Sequence, residues 1–137
     1  MKKLAVIFSA FLVLSAFTTF DSVWKNDDPH SQLGFTVTHL GISDISGTFN
    51  DFDVTINSSK PDFSDAVIEL SAKVASIDTR VEARNNHLKS ADFFDAEKFP
   101  TLNFKSTSLK KSEKDQFKLT GDLTLHGVTK SNDGSSV

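Results

Sequence analysis

From Leu33 onward the chain is dominated by a two-residue alternation of apolar and polar positions. Leu33, Phe35 and Val37 alternate with Gly34, Thr36 and Thr38 as far as Leu40-Gly41, the period of a strand with one apolar face. Ile45 and Phe49 hold one phase, and Phe52, Val54 and Ile56 hold the opposite one. That reversal predicts a bulge or bend at Asn50-Asp51 and a curved sheet. Ala66, Ile68, Leu70, Ala72 and Val74 alternate with Val67, Glu69, Ser71, Lys73 and Ala75. Leu102 and Phe104 repeat the pattern, as do Phe117, Leu119, Leu123 and Leu125 opposite Lys118, Thr120, Asp122 and Thr124. About five strands are visible in this way.

The alternation lapses between Ile77 and Pro100, where charged residues dominate; a short helix capped by Asp78 or Thr79 and running to about Leu88 is expected there. Asn57–Asp62 and Lys110–Asp115 read as surface turns, and Ser131–Val137 reads as a solvated polar tail. At the start, Lys2 and Lys3 precede an apolar run from Leu4 to Phe17, the pattern of a secretory signal peptide. The run is shorter than the roughly 20 residues a membrane-spanning helix needs. The expected organisation is a leader over 1–19, a β domain over 20–130 and a tail over 131–137. The expected location is periplasmic or secreted, with no stable membrane span after leader removal.

A sheet with one apolar face must be covered by a second layer or rolled so that the face lines an interior. One short helix cannot cover five strands, so a rolled sheet is expected. About eight strands make a barrel just wide enough for side chains or one slim ligand. Composition fits a greasy interior: 13 Phe, no Tyr and one Trp supply apolar area with few polar handles. No Cys is present, which excludes disulfides, thiolate metal sites and thiol nucleophiles. The net charge of -3 with scattered Lys and Arg gives no basic field for nucleic acid.

Four histidines, His30, His39, His87 and His126, stand at no metal-ligand spacing, and no nucleophile or phosphate-binding motif occurs. The densest polar cluster, Asp78, Arg80, Glu82, Arg84 and His87, reads best as the solvated face of the helix. In Asp92-Phe93-Phe94-Asp95 two adjacent Phe cannot both face one core. One of them is expected to pack down, or to cover the mouth of a cavity.

An ordered set of motifs then resembles a known family. Asp28-Pro29-His30-Ser31, Phe35-x-Val37-x-His39-Leu40-Gly41-Ile42, Gly47-x-Phe49-x-x-Phe52 and Ser76-Ile77-Asp78-Thr79 come first. Arg84, His87–Asp95, Phe99-Pro100, Phe104-x-Ser106-Thr107 and Gly121–Lys130 follow. In this order they resemble the YceI-like, polyisoprenoid-binding family over nearly all of Trp24–Lys130. The resemblance implies an all-β fold, an extended antiparallel lipocalin-like β-barrel with one short helix. It implies a binding protein rather than an enzyme, holding an isoprenoid or fatty-chain lipid as ligand and no other cofactor or metal. Phe35, Val37, Phe49, Phe52, Ile68, Leu70, Phe93, Phe94, Phe104 and Phe117 are the candidate lining residues.

Two departures from the family pattern stand out. Asn85-Asn86 replaces the usual Asp after Arg84, which touches a local loop hydrogen bond. Ser131–Val137 stands where the family continues with further strands, so the barrel is expected to be incomplete at the C-terminus. Its open edge offers a route to a homodimer by strand addition. Two other readings are a structural or stress-related periplasmic module with a filled core, and an enzyme using His87 with Asp78 or Arg84.

Overall fold

The computed structural model describes residues 21–39, 43–112 and 116–136. The expected leader over 1–19, the expected end of the first alternating segment at Leu40-Gly41, and Glu113–Asp115 of the expected Lys110–Asp115 turn lie outside these residues. Nine strands are present among the described residues: β1 (Ser22–Lys25), β2 (Leu33–His39), β3 (Ser43–Phe49), β4 (Phe52–Ser58), β5 (Val67–Lys73), β6 (Ile77–Asp78), β7 (Thr101–Lys111), β8 (Phe117–Leu125) and β9 (Val128–Ser136). One α-helix, α1 (Glu82–Lys89), follows β6, and single 3-10 turns occupy Asp28–His30 and Val74–Ser76.

Every strand pairing is antiparallel. Six strands form one sheet in the order β1-β4-β5-β7-β8-β9, and β2-β3-β6 form a second sheet of three. The phase reversal at Asn50-Asp51 is where the chain leaves the small sheet at the end of β3 and enters the large one at β4. The bend is held by Asn50 N–H donating to the Ser76 carbonyl at 3.2 Å and Asp51 N–H donating to Ser76 Oγ at 3.0 Å. The strands therefore curl into an all-β, lipocalin-like barrel that is not closed among the described residues. β1 and β9 are the two edges of the large sheet.

The core sits at one end of this curl. Phe49, Ala72, Ile77 and Leu102 are buried together, with Phe35, Phe52, Leu70, Leu88, Phe94 and Leu125 packed around them. Helix α1 and the segment after it lie over this end through Leu88 and Phe94. At the β8–β9 connection, His126 and Gly127 take φ of 51° and 70°, as the tight two-residue hairpin requires. The Phe99 ring lies against Gly127, leaving no space for a Cβ.

Four expectations are corrected. Ser131–Ser136 is not a free tail: it forms most of β9, paired with β8 from Leu125↔Val128 to Lys118↔Ser136. Backbone pairing to a neighbouring strand stabilises it without any apolar alternation of its own. Lys110 and Lys111 are not in a turn but end β7, opposite Lys118 and Phe117. The reversal begins at Ser112, whose N–H donates to the Gln116 carbonyl at 2.7 Å. The helix is capped at Val81 rather than at Asp78 or Thr79. Asp78 is occupied in accepting from Arg80 N–H at 2.8 Å and Asn85 Nδ2 at 3.0 Å, and Arg80 takes a φ of 63° that breaks helical continuity. Finally, the count of about five strands takes Ile45 to Ile56 as one bent strand where the structure has two in different sheets, β3 and β4, and it leaves out β1, β6 and β9, which are short or lack an alternating apolar face.

Candidate functional site

Residues directly opposite in an antiparallel ladder share a face, so the register traces the inner surface of the large sheet. The pairs Phe52↔Ala72, Val54↔Leu70 and Ile56↔Ile68 join β4 to β5. Leu70↔Phe104 and Ala72↔Leu102 carry the face to β7, and Phe104↔Leu123 carries it to β8. A register shift between Ser106 and Ser108 changes the phase of β7, so that Leu109 falls opposite Leu119. Without that bulge Leu109 would point to the outer face. The result is one continuous apolar face from the buried core to the β7–β8 hairpin.

At the hairpin end this face opens into a groove of about 360 Å³ lined by Ile56, Phe63, Ala66, Ile68, Leu109, Phe117 and Leu119. Every lining residue is apolar. The clefts between β2 and β3 and across β5 and β7, by contrast, carry charged and polar lining residues such as Asp78 and Arg80 in the first and Glu69, Lys105 and Asp122 in the second. Midway along the face the Phe104 ring lies on Gly121, leaving no space there for a Cβ. Towards the β9 edge the character changes, with Lys130 opposite Leu123 and Asn132 opposite Gly121. An inward charge on an edge strand disfavours pairing with a further strand.

The loop between β4 and β5 is tied down by one carboxylate. Asp65 accepts from Ser58 Oγ at 2.5 Å, from Ser59 N–H at 3.2 Å, from Lys60 N–H at 3.3 Å and from the Ser59 hydroxyl. The hydroxyls of Ser58 and Ser59, foremost among these donors, hold its carboxyl well below the ordinary carboxylate range. A depressed folded pKa contributes stability that is present above the unfolded value of about 3.9 and is lost as pH falls through the folded one. The loop is therefore expected to stay pinned from neutral pH down to about pH 4. Emission from Trp24, which touches this loop, checks it: a flat profile above pH 4 in the wild type is expected, against a red shift already at pH 7 in Asp65→Ala.

The ten candidate lining residues divide into four groups. Ile68 and Phe117 line the groove, and Phe52, Leu70 and Phe104 lie on the apolar face leading to it. Phe49, at 6% exposure, is core and lies outside the apolar groove; Phe35 and Phe94 pack onto it with ring centroids at 5.5 Å and 6.5 Å. Val37 and Phe93 are 52% and 48% exposed. Phe93 stands edge-on to His87 at 4.8 Å, so of the adjacent Phe pair one packs down and the other stays outside. Ile56, Phe63, Ala66, Leu109 and Leu119 are groove residues outside that set.

The polar cluster on α1 is structural. Asn85 Oδ1 accepts from Thr79 N–H at 2.8 Å and Thr79 Oγ1 at 2.6 Å, while Arg84 donates to Thr79 Oγ1 at 2.8 Å and to the Thr79 carbonyl at 2.7 Å. Asn85 thus fills the local loop hydrogen bond that its substitution put in question. Asp78 is held below the usual carboxylate range by Arg80 N–H and then by Asn85. His87 faces Asp92 at 3.8 Å rather than Asp78 or Arg84.

These features define a class: an antiparallel barrel, open among the described residues, with an apolar inner face that runs from the buried core to a groove. A model of the YceI-like domain matches residues 24–133. An UPF0312 protein of Photorhabdus laumondii is 39% identical over 131 residues, covering 94% of this chain and 68% of its own length. Protein YceI of Escherichia coli O157:H7 is 38% identical over 131 residues, with the same coverage. The chain belongs to the YceI-like family. Among solved structures, the Campylobacter jejuni YceI protein superposes with a TM-score of 0.61 at 34% identity, covering 78% of this chain and 63% of that one. Burkholderia cenocepacia BcnA gives 0.70 at 22% identity, covering 77% and 66%. A polyisoprenoid binding domain from Saccharophagus degradans gives 0.52 at 16% identity, covering 81% and 59%. The chain spans about two thirds or less of these proteins' lengths.

Proposed function

We propose that this chain is an exported, non-enzymatic carrier that holds a polyisoprenoid or similar long-chain apolar lipid along its inner face. The observation that carries the reading is the continuous apolar face ending in a groove with no polar lining residue. Such a surface gives an amphiphile little to hydrogen-bond and much area to cover. Each buried methylene contributes roughly 0.8 kcal/mol, so a long chain is retained by area alone. The polyisoprenoid-binding domain of Saccharophagus degradans supports the ligand class by its shared fold. The Lys2-Lys3 and Leu4–Phe17 pattern supports export to the periplasm or medium. Among the described residues no helix is long and apolar enough to cross a membrane.

Native mass spectrometry of the full chain purified from its producing cells tests the proposal. A mass excess matching an isoprenoid or fatty chain, released by organic extraction, is the expected result. Well-folded protein that yields a clean extract and takes up no added lipid overturns it. The same spectrum reports whether a homodimer forms.

A further inference from the structure

We propose that Phe63 is a ligand-contacting residue, held against Trp24 by the Asp65 clamp so that its ring forms one wall of the apolar groove and sets the affinity for the chain bound there. The inference rests on the carrier reading above and names the side chain that decides its strength. Three observations meet at this residue. Phe63 takes a φ of 57°, a left-handed conformation that is a genuine outlier for a bulky side chain. Its ring stands 4.8 Å from the Trp24 ring, tilted by 53°. It also lines the groove alongside Ile56, Ala66 and Ile68.

Glycine or asparagine would meet this backbone requirement at less cost. A phenylalanine there is unfavourable for the loop itself, yet the surrounding contacts over-determine it. Lys60 and Phe63 carbonyls accept from Phe63 N–H at 3.2 Å and Ala66 N–H at 3.0 Å respectively, and the Asp65 carboxylate gathers Ser58, Ser59 and Lys60. Trp24 remains 40% exposed beneath the ring, so the aromatic pair does not serve to bury a core. What the conformation achieves is to lay an aromatic face over the end of the groove, where an apolar chain would pass. Backbone strain retained in a loop beside a binding groove is the pattern of a site that trades stability for function.

The test uses cis-parinaric acid, a fluorescent long-chain fatty acid, as probe. Trp24 is the sole Trp and no Tyr is present, so energy transfer from Trp24 reports occupancy at this end of the groove. Phe63→Gly relieves the backbone and deletes the ring; Phe63→Asn keeps a left-handed-tolerant residue and presents an amide. Both are expected to raise Kd about tenfold, the scale of one lost aromatic contact, with an unchanged or higher Tm. Binding within twofold of the wild type in both variants overturns this inference alone. A Tm lowered in both variants overturns it too, because the ring would then be a stability element. No saturable probe binding by the wild-type chain overturns the carrier reading, and this inference with it.

Discussion

Phe49→Ala is expected to lower the stability of the chain by about 3–5 kcal/mol, the range for deleting a buried aromatic ring. Phe49 is the last residue of β3 and 6% exposed. Its ring meets Phe35 on one side and Phe94 on the other, so it joins the small sheet to the segment after α1. Its backbone also pairs with Ile77 in β6. Removing the ring leaves a void between three elements that cannot collapse together, since each is fixed by its own hydrogen bonds. For a domain of this size the loss corresponds to a fall in Tm of roughly 10–20 °C. Thermal unfolding followed by circular dichroism measures it. A fall under about 3 °C, equivalent to roughly 1 kcal/mol, would show that the barrel end is held by its ladders rather than by this cluster.

How much of this was legible beforehand depends on the kind of signal. β2, β4, β5 and β8 announce themselves because one of their faces is apolar and the other polar, and burial of one face is what period two encodes. The reversal between Phe49 and Phe52 was readable for the same reason. β1 and β9 were not. Ser22-Val23-Trp24-Lys25 is exposed along its whole length, and β9 is polar apart from Val128. Both are edge strands stabilised mainly by backbone pairing, which any residue except proline can make. The helix start moved because Asp78 and Thr79, good caps by residue type, are engaged by Asn85 and Arg84 across five to seven residues.

The groove was less legible than the fold. Period two assigns Leu109 to the outer face, and only the β7 bulge brings it inward. Phe63 sits in a loop, where alternation carries no information, and its inward aim depends on a left-handed backbone. Conversely, Phe49 and Phe94 read as lining because they are large and apolar. Size alone does not distinguish a side chain that fills a core from one that borders an opening; which end of the curl is plugged by α1 decides that.

Ile68→Asp should separate binding from folding more sharply than any other single change. Ile68 lies directly opposite Ile56 on the inner face and lines the groove. Its backbone N–H donates to Ser106 Oγ at 2.8 Å, a bond the substitution keeps. In the free protein the groove is open, so a carboxylate there stays hydrated and the strand keeps its pairing; a cost of no more than about 1–2 kcal/mol in stability is expected. A bound apolar chain would strip that water away, and no lining residue of the groove offers a hydrogen bond in exchange. Burying an uncompensated carboxylate costs at least several kcal/mol, so lipid affinity should fall by a factor of about 100 or more. Titration of the wild type and Ile68→Asp with the same fatty-chain probe, beside their melting curves, distinguishes the outcomes. A large loss of binding with near-native Tm locates the chain on this face of β5. Retained affinity in a folded Ile68→Asp protein would move the ligand off the large sheet altogether.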